Sequence, residues 1–184
     1  MLTTHVLNSS TIRSQGWTDK ILALDRENMT PILRAAGLGF SDEKRRQGLR
    51  DPSIVSVVLV DGETLVGYVE FCTDSYCDAN LFLASLQLDR RYRRGIALGI
   101  LIVECAEIVK TRSFIRLRAG VHRSNREAIQ LYRKLGFQLI ERRENETIFD
   151  AIGRRELLNS ERIVRLARHL VGKYKTGIID EIDT

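Results

Sequence analysis

No stretch of this 184-residue chain approaches the unbroken apolar length, about 20 residues, that a bilayer-spanning helix needs. The first ten residues lack a basic head followed by an apolar run, so no secretory signal is read there and the cytoplasm is the expected location. Cysteine is scarce. Cys72, Cys77 and Cys105 form an odd trio that reads as reduced thiols, with Cys105 filling space inside an apolar helix. Histidine is as sparse, and His5, His122 and His169 are too scattered to give paired zinc-ligand spacing. The Asn-x-Ser/Thr triplets at Asn8, Asn28 and Asn145 carry no weight without a secretion signal. Neither repeats nor low-complexity linkers interrupt the chain. These absences leave one globular domain, and 43% hydrophobic with 29% charged residues is a composition that closes a single core.

The basic excess is local. Residues 154–175 hold seven Lys or Arg against Glu156 and Glu161, a balance equal to the formal +5 of the whole chain. Ile163, Leu166 and Leu170 lie on one side of the same stretch, which predicts an amphipathic helix. A body over 1–152 is therefore expected, with 153–184 a basic helical extension docked on it or on a second copy in a homodimer. A nucleic-acid arm is the weaker reading, because only Tyr174 accompanies the charge as an aromatic.

Patterning predicts a mixed order of elements. A short strand over 4–7 precedes a helix from Thr18 or Asp19, which Pro31 breaks or restarts. Ser41 caps a polar helix reaching about Leu49. Residues 54–60 and 65–71 read as strands joined by Asp61-Gly62, the strongest hairpin signal in the chain. A strand over 81–88, an apolar helix over 96–109, a strand over 115–121 and a helix over 125–135 follow. Two short strands, 137–141 and 147–150, close the body. The fold class is α/β, a mixed sheet with helices on its faces.

Two constellations carry chemistry. Asp89-Arg90-Arg91-Tyr92-Arg93-Arg94-Gly95-Ile96-Ala97-Leu98-Gly99 joins a strand to a helix. Small residues there let a ligand approach the backbone, and the unpaired N–H groups and dipole of a helix start suit a diphosphate. The arginines add charge for the same anion. The second run, Val121 to Phe137, is a well-formed helix. Ser124 and Glu127 make a capping box, Ala128, Leu131, Tyr132 and Leu135 a buried stripe, and Gly136 ends it. Taken alone, Tyr132 is core packing.

Here the residues resemble the GNAT superfamily of N-acetyltransferases. The family pattern Asn-x-x-Ala-x-x-Leu-Tyr-x-Lys-Leu-Gly-Phe is met by Asn125, Ala128, Leu131, Tyr132, Lys134, Leu135, Gly136 and Phe137. The upstream turn is similar to the family's pyrophosphate motif. It admits two registers, one on Arg94, Ala97 and Gly99, the other on Tyr92, Gly95 and Ala97. The similarity spans about residues 54 to 150.

The resemblance implies a mostly antiparallel sheet splayed between the strands 81–88 and 115–121, with acetyl-coenzyme A held in the splay. Its pantetheine arm would pair along Leu86, Gln87 and Leu88, and its diphosphate would sit on residues 93–99: Arg93, Arg94, Gly95, Ile96, Ala97, Leu98 and Gly99. Asn125 would anchor the cofactor or the strand edge. An amine, of a small molecule or a protein, would attack the thioester directly, and Tyr132 would protonate the departing thiolate. The base is not legible. Ribosomal-protein N-terminal acetyltransferases of this superfamily carry a glutamate where Gly120 stands. Glu70, on the hairpin strand and sharing a face with Tyr68, is the substitute; a water on Gln87 is another route, and His122 lies near the splay. A module that binds acyl-coenzyme A with little catalysis is the alternative.

Overall fold

The computed structural model describes residues 1–74, 77–93, 96–111, 116–142 and 146–152. The expected extension, 153–184, and the turn residues Arg94 and Gly95 lie outside the described residues. The chain opens with strand β1 (Leu2–Asn8) and helices α1 (Ser9–Ser14), α2 (Trp17–Arg34) and α3 (Asp42–Gly48). Strands β2 (Val55–Asp61), β3 (Thr64–Asp74) and β4 (Cys77–Leu88) follow. A 3₁₀ turn, Arg90–Tyr92, leads to α4 (Ile96–Thr111), β5 (Arg116–His122), α5 (Arg126–Lys134), β6 (Gln138–Arg142) and β7 (Glu146–Ile152). The strands make one seven-stranded sheet in the order β1-β2-β3-β4-β5-β7-β6. Every neighbouring pair is antiparallel except β4 and β5, and α4 is the crossover that a parallel pair needs. No helix among the described residues is long and apolar enough to cross a membrane.

Local signals act as read at several points. Gly62 turns the hairpin with φ +58°, and the Ser41 hydroxyl accepts from the Lys44 N–H to cap α3. Two expectations are corrected. Helix α2 does not break at Pro31 but runs on to Arg34. The proline falls in the last turns, where it costs little beyond one backbone bond, while buried Ile21, Leu22 and Leu24 hold the helix in place. Helix α5 is capped by Asn125, whose Oδ1 accepts from the Ala128 N–H at 3.1 Å, and not by Ser124. The Ser124 hydroxyl is drawn away to Ile32 and His122.

A bulge in β4 decides which of its residues face the core. Glu70 pairs with Ser85 and Phe71 with Leu83, so Ala84 is an extra residue. Strict alternation would send Leu81 and Leu83 to one face and Leu86 and Leu88 to the other. With Ala84 inserted, all four join the core under α4 and α5, with Leu101, Ile102, Tyr132 and Leu135. Ser85 and Gln87 thereby turn to the opposite face, where Ile12, Ile21, Leu24 and Leu49 of the α1–α3 layer pack on Val58 and Tyr68.

The β4–β5 pairing runs only from Asn80↔Arg116 to Leu83↔Ala119, although β4 continues to Leu88 and β5 to His122. The two strands part where the bulge lies. On its other edge the free end of β4 is held by β3, where Gly67 pairs with Leu88. A Cβ at Gly67 would stand 2.6 Å from Leu88 Cδ2, 2.8 Å from the Gln87 carbonyl oxygen and 3.1 Å from Leu101 Cδ1. Since one of these is backbone, the strand end must move. Gly67→Ala is expected to cost about 1–3 kcal/mol, as overpacking does, and to lower the melting temperature. A variant that melts with the wild type would show that β4 yields freely at this point.

Candidate active site

A cleft of about 510 Å³ occupies the splay, a size usual for small-molecule sites. Its floor is the free end of β4, Leu86, Gln87 and Leu88. Asn28, Pro31 and Ile32 of α2 form one wall, and Ser124 to Ala128, Leu131 and Tyr132 form the other. Arg90, Arg93 and Leu98 close the end nearest α4. The first turns of α4 and α5 both border it, so two positive dipole ends and the arginines 90, 93 and 126 meet at one mouth. That is a receptor for an anion with several oxygens.

A side-chain ladder ties the walls together. Asn28 Nδ2 donates at 3.0 Å to both Gln87 Oε1 and the Leu88 carbonyl, and its Oδ1 accepts from Arg93 at 2.7 Å. Arg93 also reaches the Leu88 carbonyl at 3.4 Å and Glu127 at 3.3 Å. The same strand edge offered to a ligand is thus held by α2 and Arg93. Asn28 is not among the expected site residues, yet a signal existed. Asp25 and Asn28 are polar residues on the buried stripe that begins at Ile21 and Leu24; such residues are placed there only with partners.

The expected site residues divide. Leu86, Gln87, Leu88, Arg93, Leu98, Asn125 and Tyr132 line the cleft together. Ile96, Ala97 and Gly99 lie in the first turn of α4 without lining it, and Ala97 is buried in the core. The Asn125 side-chain oxygen is engaged as the α5 cap. Tyr132 is 5% exposed and touches both cleft and core. Burial, with a smaller effect of Cys105, holds its phenol well above the ordinary value. It stays protonated across the physiological range, as an unshifted phenol does, and the upward shift makes it a weaker donor than an exposed tyrosine.

Glu70 is not brought to the cleft. Strand β3 is an inner strand, and Glu70 is 1% exposed beneath α3. Its two oxygens accept from Arg45 at 2.9 and 3.0 Å, and Ser56 approaches one of them at 3.4 Å. Arg45 also binds Asp25 at 2.6 Å and the Tyr68 hydroxyl at 3.0 Å, while that hydroxyl donates to Asp25 and lies 3.0 Å from Ser85 Oγ. Burial works against the Arg45 charge, but the charges of Glu70 and Asp25 and the hydrogen bond to Glu70 outweigh it and its pKa ends above normal. Burial, then Asp25, pushes the Tyr68 phenol well up, so it remains neutral. Two carboxylates therefore share one guanidinium in a solvent-shielded cluster, which ties Glu70 into structure.

His122 does not itself line the cleft, but it is bound to Ser124, which does. Leu117, Ala119 and Val121 of β5 face the α4–α5 core, so His122 faces the other way, with Gly120. Its Nδ1 lies 2.7 Å from Ser124 Oγ, and that hydroxyl donates to the Ile32 carbonyl at 3.3 Å. Serine has one proton to give: if it goes to Ile32, Nδ1–H donates to Ser124 and the lone pair is on Nε2, whereas the Ser124 N–H, at 3.4 Å, is a contact in which Nδ1 accepts. Nε2 is buried and has no hydrogen-bond partner among the described residues.

The fold recurs among known structures. PaiA N-acetyltransferase of Thermoplasma acidophilum, solved with coenzyme A, is 18% identical over 83% of this chain and 99% of its own, with TM-score 0.61. NAA60 of Arabidopsis thaliana, solved with a bisubstrate analogue, is 15% identical over 83% and 98%, with TM-score 0.60. The ribosomal-protein-S18-alanine N-acetyltransferase of Escherichia coli is 18% identical over 82% and 91%, with TM-score 0.57. No curated protein matches the chain. At such identities the likeness speaks for the fold alone, but the profile of the acetyltransferase (GNAT) family matches residues 21–137, most of the described body. The chain belongs to the GNAT family of acetyltransferases.

Proposed function

We propose that the protein transfers an acetyl group from acetyl-coenzyme A to a primary amine, of a small molecule or a protein, by direct attack. The observation that carries this reading is the meeting, in one cleft, of the free strand edge Leu86–Gln87–Leu88, two helix starts with their arginines, and the protonated Tyr132. The pantetheine arm pairs with that edge in the manner of an added strand. The diphosphate is held by Arg93 and the start of α4, with Asn125 at the facing helix start. Tyr132 gives its proton to the departing thiolate. A covalent route through Cys72 or Cys105 is disfavoured: burial pushes Cys72 up to about 11 and Cys105 up to about 12, and neither is a thiolate at neutral pH.

The base is His122 in this reading. With Nδ1–H donated to Ser124 and the Ser124 hydroxyl to Ile32, its Nε2 carries the lone pair, and it stands two residues from Gly120 on the same face of β5. His122→Gln is expected to lower turnover at pH 7 while sparing acetyl-coenzyme A affinity. The deficit shrinks as pH rises and the amine loses its proton to solvent. A deficit independent of pH would remove His122 from this role.

A thermal titration tests the donor and a coenzyme A release assay over an amine panel tests the transfer. Acetyl-coenzyme A binding the folded state alone stabilises it by about 2.7 kcal/mol at a hundred times its dissociation constant. A melting temperature that saturating acetyl-coenzyme A leaves unmoved would sink the donor assignment. Stabilisation without thiol release from any amine would favour a binding module over an enzyme.

A further inference from the structure

Behind Tyr132 lies a second space, an apolar cavity of about 40 Å³ between the sheet and α4. Leu83 and Leu86 of β4, Leu117 of β5, Cys105 and Ala106 of α4 and Tyr132 are among its walls. Leu86 and Tyr132 also line the cleft, so the two spaces share a boundary at the point where β4 and β5 part. Interiors are close-packed, with few voids larger than a water molecule. A void of this kind forfeits contacts, and an apolar one does not repair the loss by taking up water. A water-sized group needs about 10–15 Å³ by this measure, so a space of about 40 Å³ holds about three to four such groups. The small side chains of Cys105 and Ala106 create it, and the raised Cys105 thiol is neutral and behaves as an apolar wall.

We infer that this cavity is an acyl-chain pocket, and that the enzyme accepts propionyl- and butyryl-coenzyme A as donors as well as acetyl-coenzyme A. The inference rests on the reading that the thioester lies in the cleft beside Leu86 and Tyr132. The reaction balances as it does for acetyl. The amine nitrogen forms a bond to the acyl carbon, the C–S bond breaks, and the thiolate leaves with a proton. Only the chain length changes, and the extra methylenes replace an empty space with contacts.

Equilibrium binding of coenzyme A and its acetyl, propionyl, butyryl and octanoyl thioesters to the full chain tests it. Affinity is expected to rise by up to about fourfold per methylene (about 0.8 kcal/mol) from acetyl to butyryl, and to fall at octanoyl, which overfills the space. Cys105→Leu fills the cavity and is expected to abolish the gain while leaving coenzyme A and acetyl-coenzyme A affinity as they were. Ala106→Val serves the same purpose should the first variant fail to fold. Affinity that declines steadily from acetyl through butyryl, or a gain that survives a folded filling variant, overturns the pocket and leaves the acetyltransferase reading intact. If none of the five ligands binds, that reading fails and the pocket with it.

Discussion

Tyr132→Phe is expected to slow turnover by about 10- to 1,000-fold, within what a positioned general acid contributes, with acetyl-coenzyme A affinity unchanged. The substitution removes one oxygen from a ring that is otherwise packed. Tyr132 is 5% exposed, and its ring lies 5.1 Å from Phe137 in a tilted pair, so phenylalanine keeps the shape of both the core and the cleft wall. What disappears is a proton donor held protonated by burial. The thiolate must then leave unprotonated or take a proton from water, and the loss falls on the chemical step. Steady-state rates with the best amine of the panel, alongside acetyl-coenzyme A binding, separate the outcomes. Wild-type turnover in Tyr132→Phe would return the residue to core packing, and a loss confined to cofactor affinity would make it a binding residue.

Arg45→Ala is expected to destabilise the protein by about 3–5 kcal/mol, because it leaves buried carboxylates without their counter-charge. Asp25 is 2% exposed and Glu70 1%, and both are bound to the same guanidinium. A typical domain has about 5–15 kcal/mol in total, so the change is large enough to show as a clear fall in the urea midpoint. The logic is sharpened by a second variant. Removing Glu70 together with Arg45, as Arg45→Met with Glu70→Leu, takes away one stranded charge, and the pair is expected to be more stable than Arg45→Met alone. A urea midpoint for Arg45→Ala within experimental error of wild type would show that the cluster does not hold α2, α3 and β3 together. None of Asp25, Arg45 and Glu70 lines the cleft, so any of these variants that folds is expected to bind acetyl-coenzyme A.

The body of the fold was legible because its signals are local. Asp61-Gly62 can turn only one way with flanking β-branched runs, and Gly62 takes the left-handed conformation that the turn demands. The run from Asn125 to Phe137 specifies a helix, its end and a buried tyrosine from spacing alone, and by resemblance it specifies the family as well. Leu86, Gln87, Leu88, Arg93 and Leu98 follow one another closely in sequence, so a reading of that stretch finds them together.

What tertiary structure decided is of another kind. The Ala84 bulge reverses the alternation of β4, and no pattern in the strand's own residues announces which of them is extra. Whether Glu70 is a base or a structural anion depends on Arg45, 25 residues earlier on α3. Asn28 enters the cleft through bonds to residues about 60 positions away. His122 is linked through Ser124 to a carbonyl on α2, Ile32, which becomes a neighbour only when the helix packs on the sheet. Sequence period fixes the elements because backbone sterics and hydrophobic patterning act over a few residues. The protonation and partners of a side chain depend on which charges and donors surround it in three dimensions, and those are set by the packing of α2 and α3 against the α1–α3 face of the sheet.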